Sequence, residues 1–177
     1  MIAYFSEHRL FGYFIVAVAC FTFTFLSRKK TRHDRKIKTA DYILSRIQEF
    51  NEPQKIAYLR KVDAYAFEEL ILTCMERKGF PIQRNKSYSG DGGIDGRFFI
   101  DGKLHYIQAK RYSAEIRYEH IEAFANILKQ NNCKGIFVHT GKTPKNIRQR
   151  KIDMTDMIIV SGSRLIKLLN TEIKKTI

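Results

Sequence analysis

Residues 89–112 read SGDGGIDGRFFIDGKLHYIQAKRY, and this stretch predicts two antiparallel strands joined by a tight turn. The glycines at its start allow positive φ angles or a close approach to a ligand, so a loop precedes the first strand. Asp101-Gly102 is the kind of two-residue turn that joins antiparallel strands. The return strand carries Gln108 and Lys110, which the alternation of side chains places on one face. If the hairpin closes at this turn, Asp95 lies beside them.

An acid, an amide oxygen and an ammonium group at one point are suited to phosphodiester hydrolysis. A hard divalent cation prefers oxygen ligands such as Asp95 and the amide oxygen of Gln108. Such a cation polarises a phosphate and lowers the pKa of a bound water. Lys110 would orient the nucleophile or offset the charge that builds up on the phosphate. The competing interpretation is a glycine-rich hairpin with polar surface residues, and the rest of the chain decides between the two.

The N-terminal part of the chain contains an apolar run. Residues 10–26, LFGYFIVAVACFTFTFL, carry no charged side chain, and a helix needs about 17–25 residues to cross a bilayer. The basic run SRKKTRHDRK follows at once, and the positive-inside rule then places the rest of the chain in the cytoplasm. A cleavable signal peptide would carry its basic residues before the apolar run. We therefore expect a single-pass transmembrane helix in the inner (cytoplasmic) membrane, with residues 1–9 as a short N-terminal tail.

The charge of the chain is strongly basic, with a formal net value of +14 over 177 residues. Residues 28–38 contribute seven Lys or Arg and one Asp, a net +6, so a surplus of +8 remains elsewhere. Such a surplus suits nucleic acid or an anionic membrane surface, and it does not choose between them. The three cysteines, Cys20, Cys74 and Cys133, lie far apart, which argues against a disulfide framework or a cysteine-based metal site.

Helices are predicted in the first half of the chain. Residues 27–62 form a basic juxtamembrane segment followed by a helical linker, with a break near Pro53. Residues 63–80, DAYAFEELILTCMERKGF, have the apolar spacing of an amphipathic helix, and Gly79 is placed to end it.

The second half of the chain alternates between helix and strand patterns. Residues 117–131 predict a helix, residues 134–140 a buried strand, Thr143-Pro144 the start of another helix, and residues 158–160 a strand before a last helix. The element order α–β–β–β–α–β, then α–β–α, predicts an α/β architecture with a mixed β-sheet flanked by helices.

Neither the segment Gly141-Lys142-Thr143 nor the histidines form a known cofactor-binding or metal-binding pattern. Gly141-Lys142-Thr143 does not have the glycine spacing of a phosphate-binding P-loop, so no small-molecule cofactor is expected. His105, His120 and His139 share no metal-ligand spacing, and we expect all three to be structural.

Several groups of residues, taken in order, resemble the Mrr-type restriction endonuclease domain, a branch of the PD-(D/E)xK nuclease superfamily. They are Phe67-Glu68, Gly79-Phe80, GDGGID at 90–95, QAKRY at 108–112 and GIFV at 135–138. The resemblance covers about residues 60–170, and the GDGGID…QAKRY pair is specific. It implies a restriction-endonuclease-like fold for a nuclease domain at residues 63–177, with DNA as the partner and Mg²⁺ as the cofactor, Mn²⁺ being the alternative.

The resemblance also implies roles for individual residues. Asp95 matches the metal-binding aspartate of the family, and Lys110 matches its catalytic lysine. Gln108 occupies the position of the second acidic residue, where this branch usually has Gln. Glu68 matches a helix glutamate that adds a carboxylate to the metal site. Asp91 matches a loop aspartate, for which stabilising the turn is an equal alternative.

Basic residues beyond these motifs are the candidates for contacts with DNA phosphates, and a solvated helix face is the competing interpretation. They are Arg111, Arg117, Lys142, Lys145 and Arg148, with Arg150 and Lys151 beside them. Many relatives carry a separate DNA-binding module ahead of the nuclease domain. Here the apolar run and short helices take that place, so recognition of a sequence or of modified bases is not implied.

The sequence thus predicts a membrane-anchored, metal-dependent DNA endonuclease acting in restriction, defence or DNA processing. The alternative is a catalytically inactive, membrane-tethered DNA-binding or scaffold protein. A nuclease for branched DNA or for RNA is a third interpretation. A homodimer would let two sites cut both strands, but no segment identifies its interface.

Overall fold

The computed structural model describes residues 34–85, 92–144 and 153–170, together with Tyr13 and residues 15–18 and 20–22. The chain divides into two compact units, residues 1–36 and residues 37–177. The second unit contains the sheet and the candidate site.

The described strands form one mixed sheet in the order β1-β2-β3-β4-β5. The strands are β1 (Ile82–Arg84), β2 (Gly96–Ile100), β3 (Lys103–Lys110), β4 (Lys134–His139) and β5 (Met157–Val160). The pairs β1–β2 and β2–β3 are antiparallel, whereas the pairs β3–β4 and β4–β5 are parallel. This arrangement confirms the predicted mixed sheet flanked by helices.

Helices cover both faces of the sheet. They are α1 (residues 34–47), α2 (Glu52–Leu59), α3 (Ala64–Arg77), α4 (Tyr118–Gln130) and α5 (Gly162–Leu169). A crossover of a dozen or more residues must join two parallel strands, and α4 supplies it between β3 and β4. The helices predicted for residues 34–62 and the break between them are present as α1 and α2.

Local sequence accounts for the ends of the elements that frame the site. Asp101 and Gly102, at φ 49° and 73°, form the two-residue turn between β2 and β3, because both residue types tolerate the left-handed region. Asp63 begins α3 by accepting a hydrogen bond from the backbone N–H of Ala66 at 3.0 Å. Gly79, at φ 90°, follows the end of that helix.

The core has two parts, one on each face of the sheet. On one face α1, α3 and α5 pack their apolar side chains against Phe98, Ile107 and Val138. On the other face α4 packs Phe124 and Leu128 against Tyr106, Phe137 and Met157. Strand β3 lies between the two parts, and its side chains at positions 106–109 are all buried. The site is therefore built on a strand whose centre is buried between the two parts of the core.

Two predictions concern residues that the structure largely leaves undescribed. The helix predicted to begin at Thr143-Pro144 would occupy residues 145–152, which lie outside the described residues. The predicted transmembrane helix at residues 10–26 is described only at Tyr13, 15–18 and 20–22, which are helical and exposed. Among all described residues, no helix is both long and apolar enough to cross a membrane.

Replacement of Gly135 by alanine should destabilise the fold. A Cβ atom there would lie 2.7 Å from Leu128, 2.9 Å from Phe124 and 2.9 Å from the backbone oxygen of Tyr106. The backbone oxygen cannot move aside, so α4 must shift away from β4. We expect the free energy of unfolding to fall by about 1–3 kcal/mol in urea titrations. The exposed neighbour Lys134 provides the control, since Lys134→Ala should change stability by less than about 0.5 kcal/mol. Equal losses in the two variants would contradict the packing argument.

Candidate active site

Asp95 lies directly before β2 and is held against the middle of the sheet. Its backbone N–H donates to the carbonyl of Ile107 at 2.8 Å. Its carboxylate oxygen Oδ2 accepts the backbone N–H of Ala109 at 2.6 Å. The hairpin therefore brings Asp95 beside the strand segment that carries Gln108 and Lys110, as the sequence predicts.

Gln108 has a side chain that is only 4% exposed. Its Nε2 donates to the carbonyl of Gly93, which only accepts, so Nε2 must face that carbonyl. Its Oε1 is buried and has no hydrogen-bond partner among the described residues. Nearly all buried polar atoms are satisfied, so an unpaired acceptor in this position is a signal for a missing ligand.

Gly93 is required at the place where the glycine loop meets this amide. It has φ 88°, and a Cβ atom there would lie 2.9 Å from Nε2 of Gln108. Both the backbone angle and the space therefore exclude a side chain. Asp91, the other loop position singled out from the sequence, lies outside the described residues.

Glu68 lies in the first half of α3, and its charge interacts with those of Asp95 and Lys110. The pKa of Glu68 is raised to about 8, first by burial and then by the nearby carboxylate of Asp95, whereas Lys110 acts to lower it. The structure therefore brings Glu68, Asp95 and Lys110 together, with Gln108 two residues before the lysine. All four residues predicted for the site share one region, at the start of β2 and the end of β3.

The neighbouring Glu69 has a different environment. It is 2% exposed and its Oε2 accepts from Nε of Arg84 at 3.1 Å. Arg84 also contacts both carboxylate oxygens of Glu76, at 2.8 and 2.9 Å. This network ties α3 to β1 beside the glycine loop. Of the two adjacent glutamates on α3, Glu69 is therefore the one that borders the core.

Asn85 is a supporting residue that sequence reasoning missed. Its Nδ2 donates to the carbonyl of Ile94, the residue just before Asp95. Its Oδ1 accepts from Nη1 of Arg97 at 2.7 Å. These bonds fix the chain on both sides of the glycine loop and so help to position Asp95. Asn85 stands in no recognisable motif, and only the folded chain reveals its contacts.

The basic residues predicted to contact phosphates are described only in part. Arg111, Arg117 and Lys142 are exposed, while Lys145, Arg148, Arg150 and Lys151 lie outside the described residues. Arg111 donates to the backbone carbonyl of Arg60 at 2.7 Å. Arg117 is 3.7 Å from Glu119, with both side chains about two-thirds exposed, so this pair contributes little. Arg111 thus directly follows β3, Arg117 directly precedes α4, and Lys142 lies just beyond β4.

Two of the three histidines have defined environments near this region. His139 is fully buried, burial lowers its pKa to about 4, and Thr143 contacts its Nε2 at 3.2 Å, in keeping with the structural role predicted for it. His120 instead pairs with the hydroxyl of Tyr112 through Nδ1 and is only half-buried. His105, on the other face of β3, stacks on Phe98 at 5.0 Å.

The donor set fits a hard divalent cation. Asp95 and Glu68 offer carboxylate oxygens, and Gln108 offers a buried oxygen without a partner. Within the described ranges, no three His, Cys, Asp or Glu side chains come together to hold a metal. The predicted set would not form such a cluster, because its third ligand is an amide.

The chain matches one protein family and is similar to a solved structure. The model of the Mrr catalytic family, described as a restriction endonuclease, matches residues 59–169. The resemblance predicted over about residues 60–170 is thereby confirmed. Among solved structures, the chain is similar to the MspJI restriction endonuclease in complex with a 27-mer oligonucleotide. The identity is 21% over 59% of this chain and 27% of that chain, with a TM-score of 0.45. No curated protein matches the chain.

Replacement of Glu68 by glutamine should change how stability depends on pH in the metal-free protein. The pKa of Glu68 rises from 4.5 to about 8 on folding, so the folded state binds its proton more tightly than the unfolded chain. The resulting stabilisation is complete below pH 4.5 and is lost as the pH rises towards 8. With EDTA present, Glu68→Gln should therefore raise the Tm at pH 8 and change it little at pH 4.5.

The exposed Glu122 on α4 provides the matched control. Glu122→Gln makes the same chemical change away from the site and should shift the Tm equally at both pH values. A Glu68→Gln variant that behaves in the same way would show that Glu68 is not held protonated in the fold.

Proposed function

The chain belongs to the Mrr catalytic family of restriction endonucleases, and from this membership we propose that it is a metal-dependent DNA endonuclease. From the uncharged run at residues 10–26 we propose that it is anchored in the inner membrane. The proposal of metal dependence rests on the buried Oε1 of Gln108, which has no hydrogen-bond partner among the described residues. Gln108 lies on β3, the strand that holds the carboxylate of Asp95. An acceptor left unpaired at such a point is explained by a cation.

In this proposal Asp95, Gln108 and Glu68 hold Mg²⁺, or Mn²⁺ in its place. The metal would supply Lewis acidity to the scissile phosphate and a more acidic water. The protein holds the oxygen donors in the orientation that the metal requires. Asp95 is oriented by the backbone N–H of Ala109, and Gln108 by the carbonyl of Gly93. Both orienting groups are backbone atoms, one in β3 and one in the glycine loop before β2, so the two donors are preorganised by the fold.

Glu68 adjusts the charge of the site. Gln108 contributes no charge, so Asp95 alone would leave a divalent cation incompletely neutralised. Glu68, whose pKa is about 8, keeps its proton at neutral pH when no metal is bound, because burial and the Asp95 carboxylate disfavour its ionised form. Serving as a ligand requires its deprotonated form, so metal binding should release a proton.

Lys110 lies on the same face of β3 as Gln108 and interacts electrostatically with Glu68. Its ammonium group would orient the attacking water or stabilise the negative charge that develops on the phosphate. Arg111, Arg117, Lys142, Lys145 and Arg148 would bind flanking phosphates. Contacts to the backbone position DNA without reading its sequence, so we propose cleavage with little sequence preference, in restriction, defence or DNA processing.

The central test is cleavage of supercoiled plasmid by the full-length protein with Mg²⁺ or Mn²⁺. Asp95→Asn keeps the size of the side chain and removes its charge. We expect cleavage to fall by more than the roughly 10- to 100-fold loss that follows removal of an outer-shell partner of a metal site. Lys110→Ala should also abolish cleavage while it leaves the Tm and most of the DNA affinity unchanged.

The control makes the same chemical change at the other end of β2. Asp101→Asn lies in the hairpin turn, where Asn adopts the left-handed conformation as readily as Asp. This variant should cleave like the parent. Nicked circles as the main product would indicate single active sites, and direct linearisation would indicate a homodimer that cuts both strands. Equal activity of the Asp95 and Asp101 variants would exclude Asp95 as a metal ligand.

The second candidate function is a membrane-tethered protein that binds DNA and cuts nothing. The observation that favours it is the small number of acidic ligands, since the proposed metal site has two carboxylates and no third. Steep salt-dependent binding without products on linear, modified or branched DNA, or on RNA, would establish this alternative.

Membrane anchoring rests on the first unit of the chain. The uncharged run at residues 10–26 precedes a segment with a net charge of +6 at residues 28–38. In the described part of the run, Ile15, Val16, Val18 and Phe21 are 46–72% exposed. A helix that is apolar all round is stable in a bilayer or a protein core, and these exposed side chains are not in a core.

A lysine in this run should release the protein from the membrane. Val18→Lys places a charge near the centre of the proposed span, at a cost of about 2.5–3.5 kcal/mol. We expect the parent protein to remain with inner membranes after carbonate extraction and the variant to be found in the supernatant. Protease should reach residues 37–177 of the parent only from the cytoplasmic side. Extraction of the parent by carbonate would contradict the anchor.

A further inference from the structure

Tyr112 and His120 form a polar pair at the margin of the candidate site. We propose that this pair is a phosphate-binding site for the DNA backbone, with Nε2–H of a neutral His120 as the donor. The inference rests on the proposed function, because it assumes that DNA is bound beside Lys110. It concerns two residues outside the set that holds the metal.

The pair is held together by a direct hydrogen bond. The hydroxyl of Tyr112 contacts Nδ1 of His120, and the two ring centroids are 5.9 Å apart. Tyr112 lies just beyond the end of β3, and His120 lies in the first turn of α4. The hydrogen bond therefore joins the strand that carries Lys110 to the helix that follows it.

Tyr112 cannot move independently of the site. Its backbone N–H donates to Oγ1 of Thr140 at 2.9 Å, and that hydroxyl donates back to the carbonyl of Tyr112 at 2.8 Å. Thr140 in turn donates its backbone N–H to the carbonyl of Lys110 at 3.4 Å. The ring of Tyr112 also packs edge-on against His139. Lys110 and the pair thus share one backbone framework.

The surroundings determine which atom of His120 carries a proton. Burial raises the pKa of the Tyr112 hydroxyl, so it stays protonated and donates to Nδ1. Burial lowers the pKa of His120, and the charges of Lys110 and Arg117 lower it further. A neutral imidazole that accepts at Nδ1 must carry its hydrogen at Nε2. Among the described residues Nε2 has no hydrogen-bond partner, and the side chain is only half-buried.

These features suit a phosphate oxygen. Lys110 and Arg117, which add to the effect of burial on His120, also attract an anion, and the exposed Glu119 beside Arg117 opposes them only in part. A neutral N–H between them can donate to that anion, whereas a third cation there would be repelled when no DNA is bound. A pair that served only to pack α4 would not require a polar edge open to solvent beside two positive charges.

The test measures the affinity of the full-length protein for a DNA duplex in EDTA, where no cleavage occurs. His120→Gln places an amide N–H near the position of Nε2, whereas His120→Asn reaches only the position of Nδ1. We expect His120→Gln to bind like the parent and His120→Asn to bind roughly tenfold more weakly, the loss of one hydrogen bond to a charged group. Tyr112→Phe, which frees the imidazole, should weaken binding by a smaller factor.

The salt dependence distinguishes a neutral donor from a cation. Removal of a positive contact lowers the slope of log K against log salt by about one, so Arg117→Ala should show this change. His120→Asn should lower affinity at every salt concentration with the slope unchanged. The Tm of each variant confirms that the loss is not one of folding.

Each outcome bears on one proposal or on both. Parent-like binding by His120→Asn, or a reduced slope in that variant, would overturn the neutral donor and leave the nuclease proposal intact. A protein that binds through His120 but never cuts DNA would retain the phosphate site and lose the nuclease. Failure of the parent to bind DNA at all would overturn both.

Discussion

Strand β3 is the constraint on which the rest of the structure depends. It pairs antiparallel with β2 along one edge and parallel with β4 along the other, from Lys103 to Lys110. A strand bonded on both edges cannot slide by one residue without exchanging the side chains of its two faces. The register therefore decides that Gln108 and Lys110 share a face, and that the N–H of Ala109 meets the carboxylate of Asp95. A slip of one residue would bury the lysine and destroy the site.

The candidate site has few acidic side chains, and burial raises the pKa of one of them, Glu68. Gln108 stands where an acidic residue would place a second fixed negative charge, and Glu68 compensates from α3 with a carboxyl group whose pKa is about 8. This arrangement lowers the repulsion between acidic groups in the metal-free protein. In the proposed mechanism Glu68 becomes charged only when a cation is present, because burial makes its ionised form costly otherwise. Because Gln108 is a neutral ligand, metal binding in the proposed mechanism needs the ionised form of Glu68 and so depends on pH.

Residues outside the chemistry hold the site in place. The buried pair of Glu69 and Arg84 anchors β1 to α3, and an ion pair in this position is stable only because Thr73 and Glu76 satisfy the remaining donors of the guanidinium. Asn85 then joins the start of the glycine loop to its end at Ile94. The loop can therefore be long and rich in glycine while Asp95, at its end, remains fixed.

Local sequence was enough to predict the hairpin, the turn at Asp101-Gly102, the amphipathic helices and the grouping of Asp95, Gln108 and Lys110. Each of these follows from local conformational preference or from a period of two or 3.6 residues, which a linear pattern contains. The packing of distant elements, by contrast, is what leaves Glu68 at the site and buries Glu69 against Arg84. It also brings Asn85 to Ile94 and His120 to Tyr112. Two adjacent glutamates have equivalent local patterns, and their environments differ only through the elements that pack around α3. Contacts of this kind depend on the three-dimensional arrangement of distant strands and helices, which no local pattern records.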